Sequence, residues 1–137
     1  MSLRLSKEAA EVIRQHARNS RPNEGCGALI GSSAAILGAI PLQNSSPVPQ
    51  EAFNIDAQQY LAGEQEASDQ GLELVGFFHS HPFGDSRPSQ IDIAQAMPGF
   101  VYVVVGADDS LVAWRKTLGA GMGAPVLELE KVALTSP

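Results

Sequence analysis

Apolar residues along this chain recur at two spacings. From Ser6 to Ala17 they fall three and four apart, so that Ala9, Val12, Ile13, His16 and Ala17 share one face and predict a helix. Ser6 reads as its N-cap, and Glu8 lies in the first turn, where the helix dipole favours an anion. His16 reads as an ordinary residue at the edge of that packing face. The stretch Asn19-Ser20-Arg21-Pro22-Asn23 ends the helix. Ala28 to Ile30 and Ala34 to Ile40 then read as two strands of a hairpin, connected through Ser32-Ser33. The segment Pro41 to Gln50 is rich in Pro, Ser, Asn and Gln and reads as a loop. Phe53-Asn54-Ile55 reads as a short extended piece. Asp56 and Gln59 form a capping-box pattern for a second helix to about Asp69, expected to bury Tyr60, Leu61 and Ala67 and to end at Gly71.

The second half is dominated by strands. Glu73 to Phe78 is a buried strand, Pro82 to Pro88 a loop, and Ser89 to Ala96 a short helix broken by Pro98-Gly99. The β-branched and aromatic run Phe100 to Val105 predicts a central strand buried on both faces. Ala107 to Ser110 is turn chemistry, and Leu111 to Lys116 a further strand. Gly119 to Gly123 reads as a connector, and Val126 to Val132 as a strand with Leu127 and Leu129 facing in. The expected class is α/β, with about six strands and about three helices covering a mixed sheet.

Composition narrows the possibilities without naming a chemistry. A chain of 137 residues suits a single domain, 1–137, and holds a core without disulfides. Cys26 is the single cysteine, so no internal disulfide forms. The formal net charge is −6 with no basic cluster, which argues against nucleic acid as a partner. Gly25, Gly27 and Gly31 suggest close backbone approach or bulges, and they do not form a phosphate loop, since the strand-before, helix-after context is missing. The first residues lack a leader's apolar run, and no apolar segment approaches the ~20 residues that span a bilayer. The expectation is a cytoplasmic protein with no membrane association. The oligomeric state is not legible.

The chemistry concentrates in one stretch. Two of the three histidines stand as His79-x-His81, at the end of the apolar run Leu74-Val75-Gly76-Phe77-Phe78. Alternation along a strand points both imidazoles to one side and Ser80 to the other. Asp92, a short loop later, supplies a third ligand. Two His and one carboxylate leave one position of a tetrahedral zinc open for water, as in catalytic sites. Each element also has a plainer reading. The histidines can serve separate hydrogen bonds, and Ser89-x-x-Asp92 is also a helix N-cap with an acid at its third position. The Asp92 readings are compatible, since a cap would hold a ligand rigidly.

His79-x-His81-Pro82 followed by Ser89-x-x-Asp92, with Glu24-Gly25-Cys26-Gly27 upstream, resembles the signature of the JAMM (MPN+, JAB) metalloproteases, and the likeness extends over nearly the whole chain. That resemblance implies the MPN (cytidine-deaminase-like) fold with a curved mixed sheet. It implies one Zn2+ per chain on His79, His81 and Asp92, Glu24 as general base and Ser89 as donor to the carbonyl oxygen. It also implies hydrolysis of the amide bond after the Gly-Gly tail of a ubiquitin-like or sulfur-carrier protein, bound by strand addition at an exposed sheet edge, as in the small prokaryotic members. The chain has no long insertion after the signature of the kind that larger deubiquitinases use, so selectivity for one polyubiquitin linkage is not implied. Two other readings stay open: a non-catalytic MPN scaffold, and a zinc hydrolase of small peptide or amino-acid conjugates. Cys26 is either a small buried residue or a thiol near enough to the metal to respond to oxidation.

Overall fold

In the computed structural model, which describes residues 2–32, 34–118 and 127–135, the strand Ser2–Leu5 (β1) leads into helix Lys7–Ser20 (α1). The hairpin Cys26–Ser32 (β2) and Ala35–Leu42 (β3) follows, then helix Ala57–Asp69 (α2) and strand Glu73–Ser80 (β4). The short helix Gln90–Gln95 (α3) precedes strands Val101–Val105 (β5), Leu111–Leu118 (β6) and Leu127–Thr135 (β7). The strands follow the order β1-β3-β2-β4-β5-β6-β7, and β1 also pairs with β7, so the sheet curls until it closes. β1 runs parallel to both its neighbours and β4 parallel to β5, with the remaining pairs antiparallel.

The helices form where the sequence supplies caps. Ser6 Oγ accepts from the Ala9 N–H at 3.0 Å and donates to the Leu37 carbonyl at 3.0 Å, so the cap of α1 also ties it to β3. Asp56 Oδ1 accepts from the Gln59 N–H at 2.9 Å at the start of α2. Gly71, at φ 72°, takes the left-handed conformation just past its end.

Two cores lie on opposite faces of the sheet. On one, Ala9, Ile13 and Ala17 of α1 pack with Leu3, Leu5, Leu29, Ile36, Phe78, Val101, Val103, Val105 and Ala113. On the other, Phe77, Ala96 and Tyr102 pack with Ile55, Tyr60, Leu74 and Phe100. β4 serves both, with Phe78 turned to α1 and Phe77 to α2; full burial of Phe78 contributes about 1.5–3 kcal/mol. β5 is buried along its whole length, as expected of a central strand.

Some expectations change. β1 was not legible in the sequence and completes the closed sheet. β3 runs on through Pro41 to Leu42, so the loop begins later than expected. Leu61 is 63% exposed, while Gly63 and Ala67 make the buried face of α2. A Cβ on Gly63 would sit 3.3 Å from the Ala28 Cβ, so α2 approaches the sheet through small residues and Leu61 turns outward. The expected free edge for strand addition is absent among the described strands, because each has a neighbour on both sides. The connector Gly119 to Gly123 and the facing of Leu127 and Leu129 lie outside the described residues and side chains. Among the described residues no helix is long and apolar enough to cross a membrane.

Candidate active site

β4 extends two residues further than its apolar run predicts, and its last turns of alternation build the site. His79 lies on the same face as Phe77, and its ring is 1% exposed. His81 follows just past the strand end. The two Nε2 atoms stand 3.2 Å apart, on one side as the spacing requires. Ser80 points the other way and has work of its own. Its Oγ accepts from the Gly25 N–H at 2.8 Å, and its N–H donates to the Gly25 carbonyl at 3.0 Å.

That pair of bonds anchors the residue next to Glu24. The Glu24 N–H donates to the Pro49 carbonyl at 2.7 Å, and its own carbonyl accepts from Asn44 Nδ2 at 3.0 Å. Glu24 is thereby carried to the histidines from far upstream. Its carboxylate lies within 4.8 Å of a ring nitrogen of both His79 and His81, and the residue is 5% exposed. Oε1 has no hydrogen-bond partner among the described residues.

α3 delivers the other two candidates. Ser89 Oγ accepts from the Asp92 N–H at 3.1 Å, and Asp92 Oδ2 accepts from the Ser89 N–H at 2.8 Å, a complete capping box. The same Oδ2 lies 3.0 Å from Nε2 of each histidine. The structure thus brings all five candidate residues into one neighbourhood: Glu24 and Asp92 flank the histidine pair, and Ser89 is fastened to Asp92.

The electrostatics follow from burial and charge. Burial pushes the Glu24 carboxyl up to about 7, with His81 pulling it down and Asp92 pushing it further up. Burial would also raise Asp92, but its bonds with His79, His81 and the Ser89 amide hold it well below the usual carboxylate range. Burial lowers His79, against the opposing pull of Asp92. For His81 burial is outweighed by Asp92, the Asp85 carbonyl and Glu24, and its pKa rises. Burial, and secondarily Glu24, pushes the Cys26 thiol up to about 12.

These residues fit a metal ion. His81 Nδ1 donates to the Asp85 carbonyl at 2.8 Å, which leaves a lone pair on Nε2 of the neutral ring. That lone pair faces a carboxylate oxygen at 3.0 Å, a contact that either a proton on Nε2 or a metal ion between the two atoms satisfies. The three donor atoms form a triangle with edges of 3.0, 3.0 and 3.2 Å. Ligands about 2.0–2.1 Å from a tetrahedral zinc stand roughly 3.3 Å apart, close to that triangle.

Sequence reasoning missed two supports. Phe53 stacks on the His79 ring, with centroids 4.4 Å apart and an interplanar angle of 21°. Only its place before the second helix drew notice, and nothing local links it to residue 79. Ser80, read simply as facing away, holds the Glu24 segment; its position inside His-x-His was the available signal.

A protein-family model described as prokaryotic homologs of the JAB domain matches residues 6–117. The chain belongs to this prokaryotic branch of the JAB/MPN family and is a hydrolase of the JAMM type. Among its relatives, the desampylase of Haloferax volcanii is 34% identical over 122 residues, spanning 84% of this chain and 88% of that one. A probable TtuB-protein conjugate cleaving protease of Thermus thermophilus is 35% identical over 98 residues, 72% of this chain and 66% of that one. The CysO-cysteine peptidase of Mycobacterium tuberculosis is 29% identical over 134 residues, 93% of this chain and 91% of that one. Among solved structures, a protein from Desulfitobacterium hafniense superposes with a TM-score of 0.79 at 25% identity, covering 98% of this chain and 92% of that one. A JAB1/MPN domain protein from Archaeoglobus fulgidus shares the fold, with a TM-score of 0.59 at 20% identity over 98% of each chain.

Proposed function

We propose that this protein is a zinc-dependent peptidase or isopeptidase that hydrolyses the amide bond after the Gly-Gly tail of a ubiquitin-like or sulfur-carrier protein. The observation that carries the reading is the convergence of Glu24, His79 and His81 within 4.8 Å, with Asp92 Oδ2 at 3.0 Å from both rings. His79, His81 and Asp92 would hold the metal. Zinc bound there would lower the pKa of water toward ~7 and polarise the scissile carbonyl.

The chain's own groups do the rest. Glu24, with its pKa pushed up to about 7, is matched to accept a proton from water and return it to the leaving amine. The Ser89 hydroxyl accepts from the Asp92 N–H and keeps its own proton for the carbonyl oxygen as charge develops. A single such donor is worth roughly 3–4 kcal/mol of barrier. Phe53, stacked on His79, excludes water from one face of the site.

The surrounding space supports a glycine-ended substrate. A cavity of about 30 Å3 lies against His79, Asp92, Phe53 and Tyr102, too small for a bulky side chain. It shares Phe53, Gln95 and Tyr102 with a wider cleft of about 350 Å3 lined also by Ile55, Tyr60, Phe77 and Met97. Glycines suit the narrow end, and the wide one has room for larger side chains. The relatives named for cleaving TtuB conjugates and CysO-cysteine agree with this substrate class. The test is to incubate zinc-loaded protein with a sulfur-carrier protein fused through its C-terminal glycine, beside Glu24→Gln. Cleavage by wild type alone, reduced about 10²–10⁴-fold in the variant, is expected; equal cleavage by both, or by neither, overturns the reading.

A further inference from the structure

Lys116 on β6 is 5% exposed, and a lysine so buried is uncommon unless its ammonium is bonded. Its Nζ donates to the Ile93 carbonyl at 3.0 Å. Ile93 follows Asp92 directly in α3, and its carbonyl is among the last four of that helix, which intrahelical bonds leave open. A cation is favourable at that end.

The bond matters because α3 has little else to hold it. It is six residues long with no buried residue, far too short to persist by its own propensity. Polar side chains from the sheet hold its flanks. The Tyr102 hydroxyl accepts from the Met97 N–H at 2.7 Å, and Trp114 Nε1 donates to the Ser86 carbonyl at 3.4 Å. Lys116 reaches inside the helix itself, one residue from the carboxylate that faces both histidines.

We propose that Lys116 is a positioning residue: by fastening α3 to β6 it fixes the Asp92 carboxylate against His79 and His81. The proposal rests on Asp92 being a metal ligand. Lys116→Met keeps the length and apolar stem of the side chain and removes the donor, and Lys116→Arg restores a donor. Two measurements decide it: cobalt(II) affinity followed by absorbance, and hydrogen exchange of the amides of residues 92–96 in metal-free protein.

Lys116→Met is expected to bind cobalt about 10–100-fold more weakly and to exchange those amides faster, with Lys116→Arg recovering both. In an Asp92→Asn background Lys116→Met is expected to weaken cobalt binding no further. Unchanged affinity together with unchanged exchange overturns the proposal, as does an equal loss of affinity in the Asp92→Asn background. A wild type that binds no cobalt sinks the metal reading of the site. The exchange measurement then decides for Lys116 alone: faster exchange confined to α3 supports the clasp, and unchanged exchange overturns it.

Discussion

Glu24 is held at a cost. It is 5% exposed and its pKa rises from 4.5 to about 7 on folding, so the folded chain prefers it neutral. An acid raised in this way contributes stability that is fully present below pH 4.5 and is lost as the pH rises through about 7. In metal-free protein at pH 8, Glu24→Gln should therefore be more stable than wild type, by about 1–3 kcal/mol, with the gap closing toward pH 4.5. Thermal melts of both proteins across that range check the sign. Cys26 is fully buried, and with its pKa pushed up to about 12 it holds almost no thiolate at pH 8. Iodoacetamide should leave it unmodified in the native protein and alkylate it after unfolding; rapid native labelling would restore the redox reading. His79 and His81, two apart, and Ser89 and Asp92, three apart, were legible as candidates because those spacings are short, whereas Glu24, far upstream, entered only through the family resemblance. Phe53 and Lys116 were not legible, because what they do depends on partners 26 and 23 residues away in the chain.

At the scale of elements, α3 is a cap with a purpose. Ser89→Ala removes the acceptor of the Asp92 N–H and the proposed donor to the substrate together. Stability should fall by about 1 kcal/mol, while kcat falls about 10²–10³-fold. A kcat loss no larger than the stability change accounts for would confine Ser89 to capping. β4 and β5 meet at Gly76, where a Cβ would run into the Val101 carbonyl. Gly76→Ala should disrupt the parallel pairing that aligns His79 with Val104, and lower the melting temperature steeply. Helix caps and the β5 run were legible because they are local. β1 was not, since Leu3 and Leu5 alternate over only four residues and acquire their meaning from β3 and β7. Leu61 misled for the same reason: its apolar character is local, and only the close approach of Gly63 to Ala28 shows that α2 lies on the sheet through small residues.

At the scale of the whole molecule, the proposed metal site should couple to the fold. The proposed ligands come from β4 and α3, and the base comes from the segment before β2. Ion binding joins pieces distant in sequence, so it should raise the stability of the folded chain by about 2.7 kcal/mol when free zinc stands at 100 times its Kd. Chelation should abolish cleavage and lower the melting temperature together, with added zinc restoring both. A chain whose melting temperature ignores both chelator and zinc would behave as the scaffold reading expects.

The closure of the sheet by β1 and β7 has a consequence for how the chain is made. β1 is the first of the described strands to leave the ribosome and β7 the last. The pairings among β1 to β6 can form while synthesis is under way, but those of β7 with β6 and β1 must wait until the chain has grown past Thr135. At translation speeds of about 5–20 residues per second, the stretch from Leu118 to Thr135 leaves the nascent sheet open along β1 and β6 for about 1–3 seconds. In that interval the two strands present unpaired backbone to other chains. Ribosomes stalled before β7 should therefore carry a chain that already has helices and most of its sheet, yet captures chaperones and aggregates until the final strand is released.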